Sequence, residues 1–222
     1  MIFRTIVSKS DFFLEFIKQG NNVGSILPSS KFLVKKMIEP VDFSQAKIIV
    51  EFGPGTGVIT FEILKNMSED ARLIVFEIND EFIDKLKKIP DPRIEVINDF
   101  AENMEMHLKD RGIGKVDYLI SSIPLAMIPK ETEYAILNSV KKNLNPAGAF
   151  IQYQYSIASL KKLKEVFDDV KIDFTSMNVP PACIFTCKIL SEQKFRFKAI
   201  RKTPFSMSYS LMLMIAEFIA GK

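Results

Sequence analysis

The chain reads as an α/β fold, a doubly wound and mostly parallel sheet with helices on both faces. Three observations predict it. Apolar, β-branched runs alternate with segments of helical periodicity along most of the length. The first run, Lys47 to Val50, passes into Glu51-Phe52-Gly53-Pro54-Gly55-Thr56-Gly57, where glycines at alternate positions let a strand turn tightly into a helix and approach a ligand without Cβ clashes. The second run, Leu73-Ile74-Val75-Phe76, ends in Glu77, at the carboxyl end of a strand, where open sheets of this class hold their ligands.

Residues 1–45 precede the sheet. There, Asp11 to Gln19 carries Phe12, Phe13, Phe16 and Ile17 as an apolar stripe at helical spacing that stops near Gly20. Val23 to Ser30 bridges to a second helix, Lys31 to Ile38, with Ser30 as its N-cap. The alternation occupies residues 46–190. After the two strand–helix units of the opening runs, Arg93 to Ile97 predicts a third strand, Phe100 to Lys109 a helix and Val116 to Ser121 a fourth strand. Lys130 to Leu144 is helical and stops before Pro146 and Gly148, and Ala149 to Tyr153 is the fifth strand. Ala158 to Phe167 is helical. Val170 to Asn178 and Ala182 to Leu190 are two closing strands parted by Pro180-Pro181. Residues 191–222 form a tail, with a basic run from Lys194 to Lys202 ahead of apolar Phe205 to Ala220.

Composition sets the outer bounds. At 222 residues, with 47% hydrophobic and 26% charged residues and no low-complexity tract, the chain is globular. Its net charge of +3 is unevenly spread: from Lys188 onward there are seven Lys/Arg against two Glu, leaving 23 basic and 25 acidic residues before that point. That pattern suits a local anionic contact better than an extended nucleic-acid surface. Cys183 and Cys187 have no His or Cys at metal-ligand spacing, so packing in a reducing compartment is expected and no metal. The opening Met1-Ile2-Phe3-Arg4-Thr5 lacks the marks of a signal peptide, and Phe205 to Ala220 is broken by three serines and Glu217, so a cytoplasmic protein is expected.

The ligand expected at the glycine loop is nucleotide-like but not a dinucleotide. Spacing is Gly-x-Gly-x-Gly rather than Gly-x-Gly-x-x-Gly, and Glu51 precedes the first glycine, where a carboxylate can accept from an amino-acid ammonium directly or through water. Glu77 can accept both hydroxyls of a ribose. The string Glu-Phe-Gly-Pro-Gly-Thr-Gly resembles motif I of the class I S-adenosylmethionine-dependent methyltransferases. That resemblance implies a Rossmann-like, seven-stranded sheet with an antiparallel edge strand, supplied here by the last strand pair. It implies S-adenosylmethionine as cofactor, with Gly53, Gly55 and Gly57 under its methionine and ribose, Glu77 and Ile78 at the ribose, and Ser121 at the end of the fourth strand beside it. Asp99 and Phe100 match the positions that hold the adenine, Asp99 accepting from its amine and Phe100 offering a backbone N–H and an apolar face. Asp99 also suits a helix N-cap.

Four motifs in order, Val23 to Ser30, Glu51 to Gly57, Ser121-Ser122-Ile123-Pro124-Leu125 and Asn178-Val179-Pro180-Pro181-Ala182, resemble the bacterial phospholipid N-methyltransferases, over roughly residues 10 to 188. Gln152-Tyr153-Gln154-Tyr155-Ser156 is similar to that family's Gln-Phe-x-Tyr strand end, and Gly24 and Ser25 match a segment that closes over the cofactor. The resemblance implies methylation of an aminophospholipid, phosphatidylethanolamine or its methylated forms, at the inner face of a membrane. The related ribosomal RNA adenine dimethyltransferases are the alternative, and a non-catalytic cofactor-binding module is a second. In the RNA enzymes an Asn-Leu-Pro-Tyr motif grips adenine, whereas this chain has Ser122-Ile123-Pro124-Leu125, with no amide acceptor and no ring, and too short a tail for their basic C-terminal domain. Nucleic acid is therefore not the favoured partner. Ser122, Pro124, Tyr155 and Asn178 are the expected catalytic set, accepting from the amine, with the Tyr155 ring also facing the growing positive charge. His107 is expected on the surface, away from the chemistry. Phe12, Phe13, Phe16 and Ile17 with Lys9 and Lys18, and the basic tail, are the candidate contacts with an anionic membrane surface.

Overall fold

The computed structural model describes residues 31–175 and 181–190. The stripe from Phe12 to Ile17, Gly24, Ser25, Ser30, Asn178 and the tail lie outside the described residues. In chain order the elements are α1 (Lys31–Ile38), β1 (Ile48–Phe52), α2 (Val58–Asn66), β2 (Arg72–Glu77), α3 (Asp80–Leu86), β3 (Ile94–Asn98), α4 (Met104–Asp110), β4 (Val116–Ser121), α5 (Lys130–Asn143), β5 (Leu144–Gln154), α6 (Leu160–Val166), β6 (Asp169–Thr175) and β7 (Ala182–Lys188). Short 3-10 turns, Ala101–Asn103 and Leu125–Met127, follow β3 and β4.

The seven strands form one sheet in the order β3-β2-β1-β4-β5-β7-β6. All pairings from β3 to β5 are parallel; β7 runs antiparallel to both β5 and β6, so the reversed pairing lies at that edge. The order turns back at β1, whose neighbours β2 and β4 lead outward in opposite directions. Such a reversal opens a crevice at the carboxyl ends of the strands, between the diverging connections.

Central strands of a sheet covered on both faces lack polar alternation, and β2 shows it: Leu73, Ile74, Val75 and Phe76 are all buried. Successive residues feed opposite layers. Val50, Phe52, Ile74, Phe76, Leu119 and Phe150 pack with Met104 and Leu108 of α4, Leu137 and Val140 of α5 and Leu163 of α6. Ile49, Leu73, Val75, Ile120 and Ile151 pack with Ile59 and Ile63 of α2 and with Leu33, Val34 and Met37 of α1.

Several boundaries differ from the sequence reading, three of them near the crevice or the sheet's register. The helix expected from Phe100 opens with a 3-10 turn before α4. The third strand is shifted by one residue, to Ile94–Asn98. β5 starts at Leu144, five residues earlier than expected, and runs through Pro146 and Gly148. The cause is close backbone contact at a register irregularity between Val116 and Tyr118 of β4, where a Cβ on Gly148 would sit 1.7 Å from the Asp117 carbonyl oxygen. The Asp117 carboxylate accepts from the Lys47 N–H (2.8 Å), the Ile48 N–H (3.0 Å) and Asn145 Nδ2 (3.2 Å), tying the starts of β1, β4 and β5.

Candidate functional site

At the exit of β1 the chain enters three left-handed glycines, Gly53 (φ 63°), Gly55 (φ 55°) and Gly57 (φ 80°). Only glycine adopts this region without strain. The Gly53 N–H donates to Phe76 O (2.9 Å) and the Ser122 N–H to Phe52 O (2.9 Å), carrying the ladder one step beyond the strands on both sides. A Cβ on Gly53 would lie 2.8 Å from Ile123 Cγ2, so the loop fits directly under the segment that follows β4. Gly57 leads into α2, whose amino end has no side-chain cap and so carries the positive end of the helix dipole with no capping side chain against it.

Two carboxylates frame this loop. Glu77 is buried and accepts from the Gly55 N–H (3.1 Å) through one oxygen and from the Ile78 (2.8 Å) and Asn79 (3.0 Å) N–H groups through the other. Three of its roughly four acceptor sites are thus used within the chain, clamping the loop to β2 and leaving the oxygen near Gly55 able to take another donor. Glu51 lies wholly inside, where Thr60 Oγ1 donates to Oε2 (2.7 Å) and Oε1 has no partner among the described residues. Burial pushes its carboxyl up to about 8, against the Thr60 hydrogen bond and with help from the nearby charge of Glu77. An ammonium donor would satisfy the open oxygen. The glycine cradle and this orphan acceptor therefore fit a cationic amino acid joined to a nucleoside, which is the form of S-adenosylmethionine.

Beyond β3, Asp99 Oδ1 accepts from the Phe100 N–H (2.7 Å) and Asn103 Nδ2 (2.7 Å), and Oδ2 lies 2.7 Å from His107 Nε2. Burial raises the Asp99 carboxyl, but the bonds from His107, Asn103 and Phe100 outweigh it and hold the group below its ordinary value. One acceptor site on Oδ2 stays open for a ligand amine. His107 is the departure from expectation here. It is largely buried rather than on the surface, edge-on to Phe76 at 5.6 Å between centroids. Arg111 Nη1 lies 3.3 Å from His107 Nδ1; since a guanidinium only donates, that contact places the ring proton on Nε2, toward Asp99. Arg111 is anchored in turn by Glu95 (2.7 Å). The signal was in the sequence: Asn103, His107 and Arg111 recur every four residues and so share one helix face.

Across the crevice, the segment after β4 is already internally bonded. Ile123 O accepts from the Leu125 N–H (2.9 Å) and from Gln152 Nε2 (3.0 Å), and Pro124 O accepts from the Met127 N–H (2.8 Å). Ser122 is half-buried, Ser121 Oγ is buried without a partner among the described residues, and Leu125 is turned fully into the core. Tyr155, just past β5, is exposed and meets Tyr153 edge-on at 5.7 Å. Met127, after β4, and Ile157, after β5, are also exposed. Gln152, which opens the Gln-Phe-x-Tyr-like strand end but was given no role from the sequence, ties β5 to the Ser122–Leu125 segment. Gly24, Ser25 and Asn178 lie outside the described residues, and no cluster of metal-ligating side chains occurs among those described.

Residues 21–146 match the family model described as ribosomal RNA adenine dimethylase. An ornithine lipid N-methyltransferase of Singulisphaera acidiphila is 31% identical over 188 residues, covering 82% of this chain and 98% of that one. A ribosomal RNA small subunit methyltransferase A of Mycoplasma capricolum is 32% identical, but over only 41% of this chain and 34% of that protein. Among solved structures, human methyltransferase-like protein 13 in complex with SAH superposes with a TM-score of 0.54 at 19% identity, over 68% of this chain and 75% of that one.

Proposed function

The chain belongs to the ribosomal RNA adenine dimethylase family and is an S-adenosylmethionine-dependent methyltransferase; we propose that its acceptor is the amine head group of a membrane lipid, of the phosphatidylethanolamine or ornithine-lipid kind. One observation carries the reading: Leu125, where an RNA enzyme needs a ring to stack on adenine, is aliphatic and wholly buried, so the crevice offers a planar base no platform there. An aliphatic amine needs none. Exposed Met127, Tyr155 and Ile157, on the segments that leave the carboxyl ends of β4 and β5, would form an apolar rim suited to an approach from a bilayer, and the near full-length similarity to a lipid enzyme points the same way.

When bound, the cofactor supplies an electrophilic methyl group. Glu51 is suited to receive its ammonium, the loop of Gly53, Gly55 and Gly57 to pass beneath it, Glu77 with Ile78 to hold the ribose, Asp99 and Phe100 to meet the adenine, and Ser121 to lie beside its reactive end. Gly24 and Ser25 are proposed to close over it. The acceptor amine must arrive neutral, although an alkyl ammonium titrates near 10. Its lone pair forms the new N–C bond as the C–S bond breaks and that electron pair stays on sulfur, and the resulting ammonium loses its proton to solvent. Ser122, Pro124, Tyr155 and Asn178 are the groups proposed to orient the amine, by contacts that carry no net charge and so favour its protonated form less than a carboxylate would. Labelled cofactor incubated with vesicles containing phosphatidylethanolamine or ornithine lipid, and in parallel with immature small ribosomal subunits, tests the reading. Label in lipid alone is expected. Labelled adenine with unlabelled lipid would reassign the protein to RNA.

A further inference from the structure

Gln152 faces inward near the carboxyl end of β5, one step before Gln154 on the same face, and its amide cannot turn over. Nε2 donates to Ile123 O (3.0 Å) and to Tyr153 O (2.6 Å), so a flip would set the carbonyl oxygen against two other carbonyl oxygens. Oε1 is thereby fixed in place, buried, and without a partner among the described residues. Its register neighbour on β4, Ser121, also has a buried and unpartnered hydroxyl. Both sit on the sheet face that carries Leu119 and Phe150, an otherwise apolar layer. Buried acceptors are nearly always satisfied, so two adjacent open groups at the mouth of an apolar layer mark a place where a ligand or a water completes the bonding.

We propose that Gln152 is a substrate-binding residue, its Oε1 accepting an N–H of the acceptor amine and so turning the nitrogen lone pair toward the methyl group. This rests on the amine-acceptor reading above and adds to it the residue that orients the amine. Of the carbonyls of the Ser122–Leu125 segment, Ile123 O already takes two donors and Pro124 O one, whereas Oε1 is wholly open and linked to that segment by its own amide nitrogen. An amide oxygen also carries no net charge, so it favours the unreactive ammonium over the neutral amine less than a carboxylate would.

The chemistry supplies its own control. An unmethylated amine and a monomethylated one each have an N–H to donate, and a dimethylated amine has none. Replacing the amide in Gln152→Met should lower kcat/KM roughly tenfold on unmethylated and monomethylated lipid, the value of one neutral hydrogen bond, with the loss shrinking toward onefold on the dimethylated lipid. The three lipids are presented in vesicles of one composition to the full chain, and calorimetry with S-adenosylhomocysteine checks that the variant still binds the cofactor product. Gln152→Asn, which keeps an amide but draws it back by one methylene, should show the same graded loss and serves if the Met variant does not fold. A loss that is equal on all three lipids, or no loss, overturns the proposal and leaves Gln152 a brace for the Ser122–Leu125 segment or a host for bound water. A wild-type protein inert on all three lipids overturns the lipid reading itself, and this assignment with it.

Discussion

Glu51 keeps a proton at neutral pH because its carboxyl is sealed between β1 and α2, with one oxygen on Thr60 and the other unpaired. The sign of the linkage follows from its rise from 4.5 to about 8. Between those values the folded chain holds a proton that the unfolded chain has lost, so this group lowers stability as pH rises through that window. A cofactor ammonium at Oε1 reverses the balance by favouring the carboxylate. Binding of S-adenosylmethionine near pH 7 should therefore release close to one proton, about the full occupancy of a group titrating near 8. Calorimetry in buffers of different ionisation enthalpy measures it. Glu51→Gln should abolish the release and flatten the decline of stability with pH; no release from the wild type would put the ammonium elsewhere. The acid before the glycines was legible in the sequence, as were Glu77 and Asp99, because motif residues are local. Its protonation was not, because it arises from Thr60 and from burial under distant elements. His107 escaped for the same reason: its role depends on β3 bringing Asp99 against a face of α4.

At the scale of elements, β1, β2 and β4 were plain, since strands buried on both faces read as unbroken apolar runs. The start of β5 was hidden. Pro146 and Gly148 are stop signals in a local reading, yet here the proline needs no ladder donor at an irregular register and the glycine admits the backbone of β4. Nor does the sequence show that β7 enters between β5 and β6, because strand order is a product of long-range pairing. Gly148 supplies a clean test. A methyl there meets a backbone carbonyl that cannot swing aside, so Gly148→Ala should cost about 3 kcal/mol or more and lower Tm by roughly 6 to 12 °C. Gly112, left-handed at φ 66° but with open space around its Cβ direction, is the control: Gly112→Ala should cost only about 1 kcal/mol. Denaturant titration of both variants decides between them. Equal losses would mean that β5 yields at Gly148 and does not depend on the close approach.

On the proposed function, the whole molecule has to bring its crevice to a lipid head group. No helix among the described residues is long and apolar enough to cross a membrane. The sequence-level candidates for the proposed membrane contact, the stripe of Phe12, Phe13, Phe16 and Ile17 and the basic tail with Lys194, Arg196, Lys198, Arg201 and Lys202, lie outside the described residues. What the sequence did not mark is the exposure of Met127 (53%) and Ile157 (62%), the proposed rim, because exposure is set by tertiary packing. Apolar burial and charge attraction act together at such a surface, with each well-placed basic residue worth about 1 kcal/mol. Binding to anionic vesicles should then exceed binding to neutral ones and weaken with salt, as screening requires. Met127→Ser combined with Ile157→Ser removes two side chains that the fold does not bury, so stability and cofactor affinity should hold while vesicle affinity falls by about tenfold to thirtyfold, the value of about 2 kcal/mol of partial apolar burial. Phe12→Ser with Phe16→Ser should add to that loss if the stripe also inserts. If the first pair leaves vesicle binding intact and the second abolishes it without unfolding the protein, the membrane is met at the amino-terminal stripe and the rim guides only the head group. Equal binding to neutral and anionic vesicles, insensitive to salt, would remove the case for an anionic membrane contact.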